Sequence, residues 1–279
     1  MNNYFEINNL QCSYERSADN PKIVLQVDEL IVPKGEVVFI VGQSGCGKST
    51  ILETLGLMNN TVLSAGKFMI YPEKDNEIDV TKVWRQKNSV LSEIRKKYFS
   101  FIFQQTNLMS NFSIWENAVI PQLVKGGTKK YEETLKQVGL EQILNENRQK
   151  VGELSGGQQQ RLAFVRAFMP NFNIIFGDEP TGNLDPENAD NLMKIVADEI
   201  HAIPPTSQET RGQGSEVKTA IIVSHSPELA VKYADRIIKI HKEETLGKID
   251  SDSVFEKRDG KWFHGKRIIS NENLKKLMQ

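Results

Sequence analysis

"VVFIVGQSGCGKST", residues 37–50, decides the fold. Val37-Val38-Phe39-Ile40-Val41 is apolar without interruption and ends at a glycine. A short run of this kind reads as a strand buried on both faces, the habit of parallel sheets. Gly42 and Gly47 then enclose four residues and are followed by Lys48-Ser49, the pattern of a phosphate-binding loop. Glycines let backbone N–H groups converge on phosphate oxygens because no Cβ obstructs the turn. A helix expected over 49–58 would add the partial positive charge of its N-terminus. Lys48 would reach the β- and γ-phosphates, and the Ser49 hydroxyl would bind Mg²⁺.

Outward from this stretch, Ile174-Ile175-Phe176, Ala220-Ile221-Ile222-Val223 and Ile237-Ile238-Lys239-Ile240 repeat the buried-strand pattern. Leu192, Met193, Val196 and Ile200 fall at helical spacing, as do Tyr131, Leu135 and Val138. Alternating strands and helices predict an α/β fold with a mostly parallel sheet. "YFEINNLQCSY" and "IVLQVDELIV" alternate instead, as strands of a partly exposed antiparallel sheet do. Residues 72–97 read as a charged loop and 203–217 as a surface loop rich in Pro, Gly, Ser and Thr. In the tail, Asp259-Gly260 suits a tight hairpin turn and Ser270 a helix cap.

The 279 residues carry a net charge of −1, with 39% hydrophobic and 25% charged residues. That is ordinary for a soluble globular protein and gives no bulk electrostatic case for nucleic acid or an anionic membrane. Cys12 and Cys46 form no zinc or disulfide pattern, so a reducing, cytoplasmic compartment is expected. The N-terminus does not read as a signal peptide, and "EVVFIVG" is too short to span a bilayer. Any membrane role is expected to work through a partner. His201, His241 and His264 lack a motif and read as solvated.

"NIIFGDEPTGNLD", residues 173–185, is an apolar strand ending in Asp178-Glu179. In phosphate-loop enzymes an acid at such a strand end holds the Mg²⁺ shell, and a second carboxylate can deprotonate the attacking water. Two solvated acids opening a turn before Pro180 are the plainer alternative. "LSGGQQQR", residues 154–161, is a second glycine-bearing loop that opens a helix, again a place to hold an anion.

Together with "FIFQQ" (101–105), "GNLD" (182–185) and "VSHSPE" (223–228), all in family order, these motifs resemble an ATP-binding cassette (ABC) ATPase over about residues 4–241. "DEPTGNLD", "FIFQQTNLM" and "LSGGQQQRLA" are most similar to the lipoprotein-release and macrolide-efflux group (LolD/MacB type), with a cell-division relative close by. The resemblance implies a P-loop NTPase (RecA-like) core of residues 1–104 and 159–241, which includes an antiparallel β subdomain. It places an α-helical signature subdomain at 105–158 and leaves 242–279 as an extension. The group often has a Pro before the signature, where this chain has Val151-Gly152-Glu153. The segments 72–97 and 203–217 also look long for the group.

The resemblance also implies roles. ATP would lie with its phosphates on Gly42, Ser44, Gly45, Cys46, Gly47, Lys48, Ser49 and Thr50. Its adenine would rest against Tyr14, which could instead be an ordinary strand aromatic. Mg²⁺ would be held by Ser49 and Gln104, supported by Asp178. Glu179 would be the general base, with His225 on the γ-phosphate and Lys48 and Gln104 completing the catalytic set. Ser155, Gly156, Gly157, Gln158 and Asp185 would serve the nucleotide of a second copy, because signature and phosphate loop meet across a dimer. The Cys46 thiol, near a helix N-terminus, is expected to have a lowered pKa and to be shielded from thiol reagents by MgATP. The implied function is the ATP-hydrolysing subunit of a transporter. Its permease would hold it peripherally on the inner face of the cell membrane, and Phe112, Ile114, Trp115, Val119, Ile120 and Leu123 form either that docking surface or subdomain core. The alternative is a cell-division-type ATPase that signals without moving a substrate. A repair or translation ABC protein would need a coiled-coil insertion, zinc cysteines or a second cassette, and none is legible.

Overall fold

Two sheets share one interior. The computed structural model describes residues 2–15, 19–84, 88–123, 130–146, 149–202 and 217–278, so the expected loop at 203–217 lies, up to residue 216, outside the described residues. The chain opens with β1 (Asn3–Cys12) and β2 (Leu25–Pro33). They pair antiparallel, with Ile7 opposite Leu30 and Leu10 opposite Val27, as the alternating pattern predicts. The apolar run forms β3 (Val37–Val41), and α1 (Lys48–Leu55) follows the phosphate loop. This helix is shorter than expected because Gly56 caps it and Leu57 turns back at φ 55°.

β4 (Val62–Ser64), β5 (Lys67–Glu73) and β6 (Asn76–Asp79) extend the first sheet. Then α2 (Val80–Val83) and α3 (Asn88–Tyr98) lead into β7 (Phe99–Ile102). Within the expected loop at 72–97, residues 72–84 and 88–97 are therefore structured. Its helix was hidden because Leu91, Ile94 and Tyr98 make a one-sided buried stripe behind a face of lysine, arginine and glutamate. α4 (Ile114–Leu123), α5 (Lys130–Gln137) and α6 (Gly156–Phe168) form a helical cluster. The alternation resumes with β8 (Ile174–Asp178), α7 (Pro186–His201), β9 (Thr219–Val223), α8 (Pro227–Tyr233) and β10 (Arg236–Lys239). The chain then makes β11 (His241–Glu243), β12 (Leu246–Ile249), β13 (Val254–Arg258), β14 (Lys261–His264), β15 (Arg267–Ile269) and α9 (Asn271–Met278).

The first sheet has the order β11-β12-β2-β1-β5-β6, with β4 beside β1; the second runs β15-β14-β13-β10-β3-β9-β8-β7. In the second, β10, β3, β9, β8 and β7 are parallel. β3 shows why it is a continuous apolar run. Val38 and Ile40 pack into a core shared with β1 and β2, while Val37, Phe39 and Val41 face the core under α6 and α7. Residues 242–279, expected as an extension, attach to both sheets: β12 pairs parallel with β2, and β13 antiparallel with β10. Asp259 (φ 50°) and Gly260 (φ 74°) form the hairpin turn between β13 and β14. The Ser270 hydroxyl caps α9, accepting from Asn273 N at 3.3 Å.

The order β3-β9-β8-β7 sets the carboxyl ends of these strands in a row. Residues 42–48, 224–225, 179 and 103–104 follow them and Asp178 ends β8, so one edge of the sheet collects the candidate groups. Parallel sheets bind ligands at this edge.

Candidate nucleotide site

Three glycines of the phosphate loop have positive φ: Gly42 (151°), Gly45 (71°) and Gly47 (99°). At Gly42 an added Cβ would lie 2.7 Å from Cys46 Sγ and 2.9 Å from the Ile240 carbonyl, so only glycine fits. Lys48 is 6% exposed, and its ammonium donates to the Gly42 and Gln43 carbonyls, both at 2.9 Å. The loop thus holds its cation along its own rim. Ser44 and Gly45 are exposed above it. Tyr14 is no strand aromatic. It follows the end of β1, is 63% exposed, and shares a 2.8 Å hydrogen bond with the Thr50 hydroxyl. Its ring therefore stands free beside the loop, open to a flat partner.

Cys46 corrects one expectation. Its side chain is buried under the loop, and burial pushes the thiol pKa up even though Lys48 pulls it down. The helix N-terminus does not prevail because the sulfur faces the interior.

At the neighbouring strand ends the Ser49 hydroxyl donates to Asp178 at 3.4 Å. Burial, with the charge of Glu179 beside it, raises the Asp178 pKa. Glu179 sits at φ 45°, an uncommon conformation for a residue with a side chain. Its carboxylate receives His225 Nε2 at 2.9 Å on one oxygen and Gln104 Nε2 at 3.2 Å on the other. The strand ends thus bring Ser49, Asp178, Glu179, Gln104 and His225 together, which rules out two merely solvated acids. Among the described residues no cluster of His, Cys, Asp and Glu could cage a metal. A hydroxyl, an amide oxygen and one half-buried carboxylate are instead a donor set that suits Mg²⁺, which keeps waters and phosphate oxygens as its other ligands.

The signature loop lies elsewhere. Ser155 caps α6 in a reciprocal box: its hydroxyl accepts from Gln158 N at 3.3 Å, and the Gln158 side chain accepts from Ser155 N at 2.8 Å. Among the described residues the Ser155 hydroxyl donates to no partner. Among the described residues no hydrogen bond joins 154–158 to 42–50. An added Cβ at Gly156 would meet nothing within 4 Å, and one at Gly157 only Leu184 at 3.7 Å. Asp185 caps α7; Asn188 N and Nδ2 bond its two oxygens at 3.0 and 2.6 Å and hold its pKa down.

Three side chains near the site escaped sequence reasoning. Lys242 Nζ donates to the Ser44 carbonyl at 3.3 Å. From α6, Arg166 donates to the Thr106 and Asn107 carbonyls at 2.8 and 2.7 Å, and Gln160 to the Pro180 carbonyl at 2.8 Å. Each binds a backbone carbonyl far away in sequence, so no spacing betrays it. Of the three other histidines, His201 is exposed as expected and bonds Asp235 at 2.8 Å, whereas His264 is half-buried on the Asp252 carbonyl at 3.0 Å and His241 Nε2 is buried.

This fold and these strand ends define a phosphate-loop nucleoside triphosphatase. The ABC transporter family profile matches residues 25–182, and the chain belongs to that family. It carries the family's ATP-binding, ATP-hydrolysing cassette. It is 34% identical over 249 residues to the macrolide export ATP-binding/permease protein MacB of Mannheimia succiniciproducens, covering 88% of this chain and 34% of that protein. It is 37% identical over 213 residues to the MacB of Chlorobium luteolum, covering 75% and 28%. The chain thus spans about a third of the length of these curated relatives. The dimeric structure of the bacterial ABC transporter cassette MJ0796 superposes with a TM-score of 0.67 at 28% identity, covering 88% of this chain and 96% of that one. A post-hydrolysis dimer of MJ0796 with ADP and phosphate gives 0.66 at 28% identity, covering 87% and 96%.

Proposed function

We propose that two copies of this chain close head to tail around two MgATP and drive a membrane permease, as the export names of its relatives suggest. The observation that carries the dimer is Gly156-Gly157. Glycine costs a helix roughly 0.5–1 kcal/mol relative to alanine. Within its own chain an alanine would fit at either position. The requirement for close approach therefore comes from outside: the γ-phosphate held by the partner's phosphate loop, with Asp185 beside the same junction.

In each site Lys48 and the loop amides hold the β- and γ-phosphates, and Tyr14 stacks on adenine. Ser49 and Gln104, with Asp178 behind, would hold Mg²⁺, which would supply positive charge to offset that of the phosphates. Glu179 accepts the proton of the attacking water, and His225 and Gln104 fix its two oxygens in place. Closure on ATP and opening after hydrolysis turn the chemistry into motion.

Phe112 and Trp115 are exposed, whereas Ile114 and Val119 are buried and Ile120 is half-buried. The apolar string is thus split, its buried half being core and its exposed half suited to a permease. Among the described residues no helix is long and apolar enough to cross a membrane.

The test uses the full chain. Glu179→Gln should bind ATP, stall before hydrolysis and run as a dimer on size exclusion only when ATP is present. Ser155→Arg in that background should bind ATP equally well and stay monomeric. A double variant that still dimerises, or a Glu179→Gln chain that never does, would overturn the head-to-tail site.

A further inference from the structure

Gln160 is the last glutamine of the run 158–160 and is fully buried on α6. Its amide donates to the carbonyl of Pro180 at 2.8 Å, directly after Glu179. The turn it grips is strained. Glu179 has φ 45°, and the turn closes on itself through Gly182 N to the Glu179 carbonyl at 3.1 Å. Such conformations persist only where neighbours over-determine them. Gln160 Oε1 has no partner among the described residues, a cost that packing alone would remove by placing leucine or methionine here. Arg166, further along the same helix, grips the carbonyl of Asn107, itself at φ 49°. One helix therefore begins at Ser155 and holds two strained turns of the site in its own subunit.

We infer that Gln160 is a positioning residue. It ties the signature helix to the catalytic carboxylate of the same subunit, so that nucleotide gripped by Ser155 at one site of the dimer fixes Glu179 at the other. The inter-site part of this link rests on the proposed head-to-tail dimer. Within the chain, the path is short and fully named: Ser155 at the helix start, Gln160 on its buried face, the Pro180 carbonyl, then Glu179.

Two measurements on the full chain test it. Gln160→Met keeps the length and removes both the donor and the unpartnered acceptor. Gln160→Glu keeps the shape and places an acceptor where the donor was. At saturating ATP the Met variant should lose about tenfold in kcat with KM within about threefold, a split that loss of ground-state binding would not produce. The Glu variant should lose more. In the nucleotide-free chain, amide hydrogen exchange across 178–182 should speed up about tenfold in the Met variant while the β3 amides stay unchanged. Wild-type kcat in both variants, a loss that falls on KM alone, or unchanged exchange at 178–182 would each overturn the inference. A wild-type chain without turnover would sink the ATPase reading instead. The exchange comparison, which needs neither ATP nor a dimer, would still decide the Gln160 link.

Discussion

The phosphate loop and the signature loop are both glycine turns into helices, yet their glycines answer to different masters. In the first, Gly42, Gly45 and Gly47 all have positive φ, and at Gly42 the chain's own atoms exclude a Cβ. In the second, neither glycine has a positive φ and the chain leaves space for a side chain. One loop is finished within its own subunit. The other leaves space that the subunit itself does not fill, and the proposed head-to-tail dimer rests on that difference.

Lys48→Ala is the strongest way to sharpen the contrast. It removes the cation that the finished loop already holds, and ATPase activity should fall below about a thousandth of wild type in a steady-state phosphate-release assay. Residual activity near wild type would deny the loop its role. Gly156→Ala tests the other side. The alanine should stabilise the free subunit by about 0.5–1 kcal/mol, raising Tm by about 1–2 °C, while ATPase activity drops at least about tenfold. A stabilised variant with full activity would mean that nothing approaches Gly156. The smallest effect concerns Cys46. Because burial raises its thiol pKa, the thiolate fraction at neutral pH is low, and modification should be slower than for a free thiol and quicken as pH rises. Fast labelling at pH 7 would place the sulfur outside the loop's interior.

The motifs were legible because each is local: a strand, a turn and a helix start within a dozen residues. The row 42–48, 178–179 and 224–225 followed from strand type alone, since parallel neighbours put their carboxyl ends on one edge. What stayed hidden joins distant segments. Gln160 and Arg166 look like ordinary polar residues of a helix until Pro180 and Asn107 are placed beside them. α3 was masked by its charged face, and the attachment of β12 to β2 depends on a pairing about 220 residues apart, which no window sees. Cys46 was misjudged because helix position was read without the direction of the side chain.

Gly247 of β12 lies behind the phosphate loop, and a Cβ there would fall 2.0 Å from the Cys46 carbonyl. The loop therefore leans on a neighbouring hairpin whose tip, residues 242–245, is exposed at the surface. That hairpin is a handle on the back of the loop, and Lys242 at its tip already bonds the Ser44 carbonyl. A peptide or antibody fragment that seized its tip and displaced it by a fraction of an ångström would push on the seat of the phosphates from behind, and because such coupling is reciprocal, added ATP would weaken its grip.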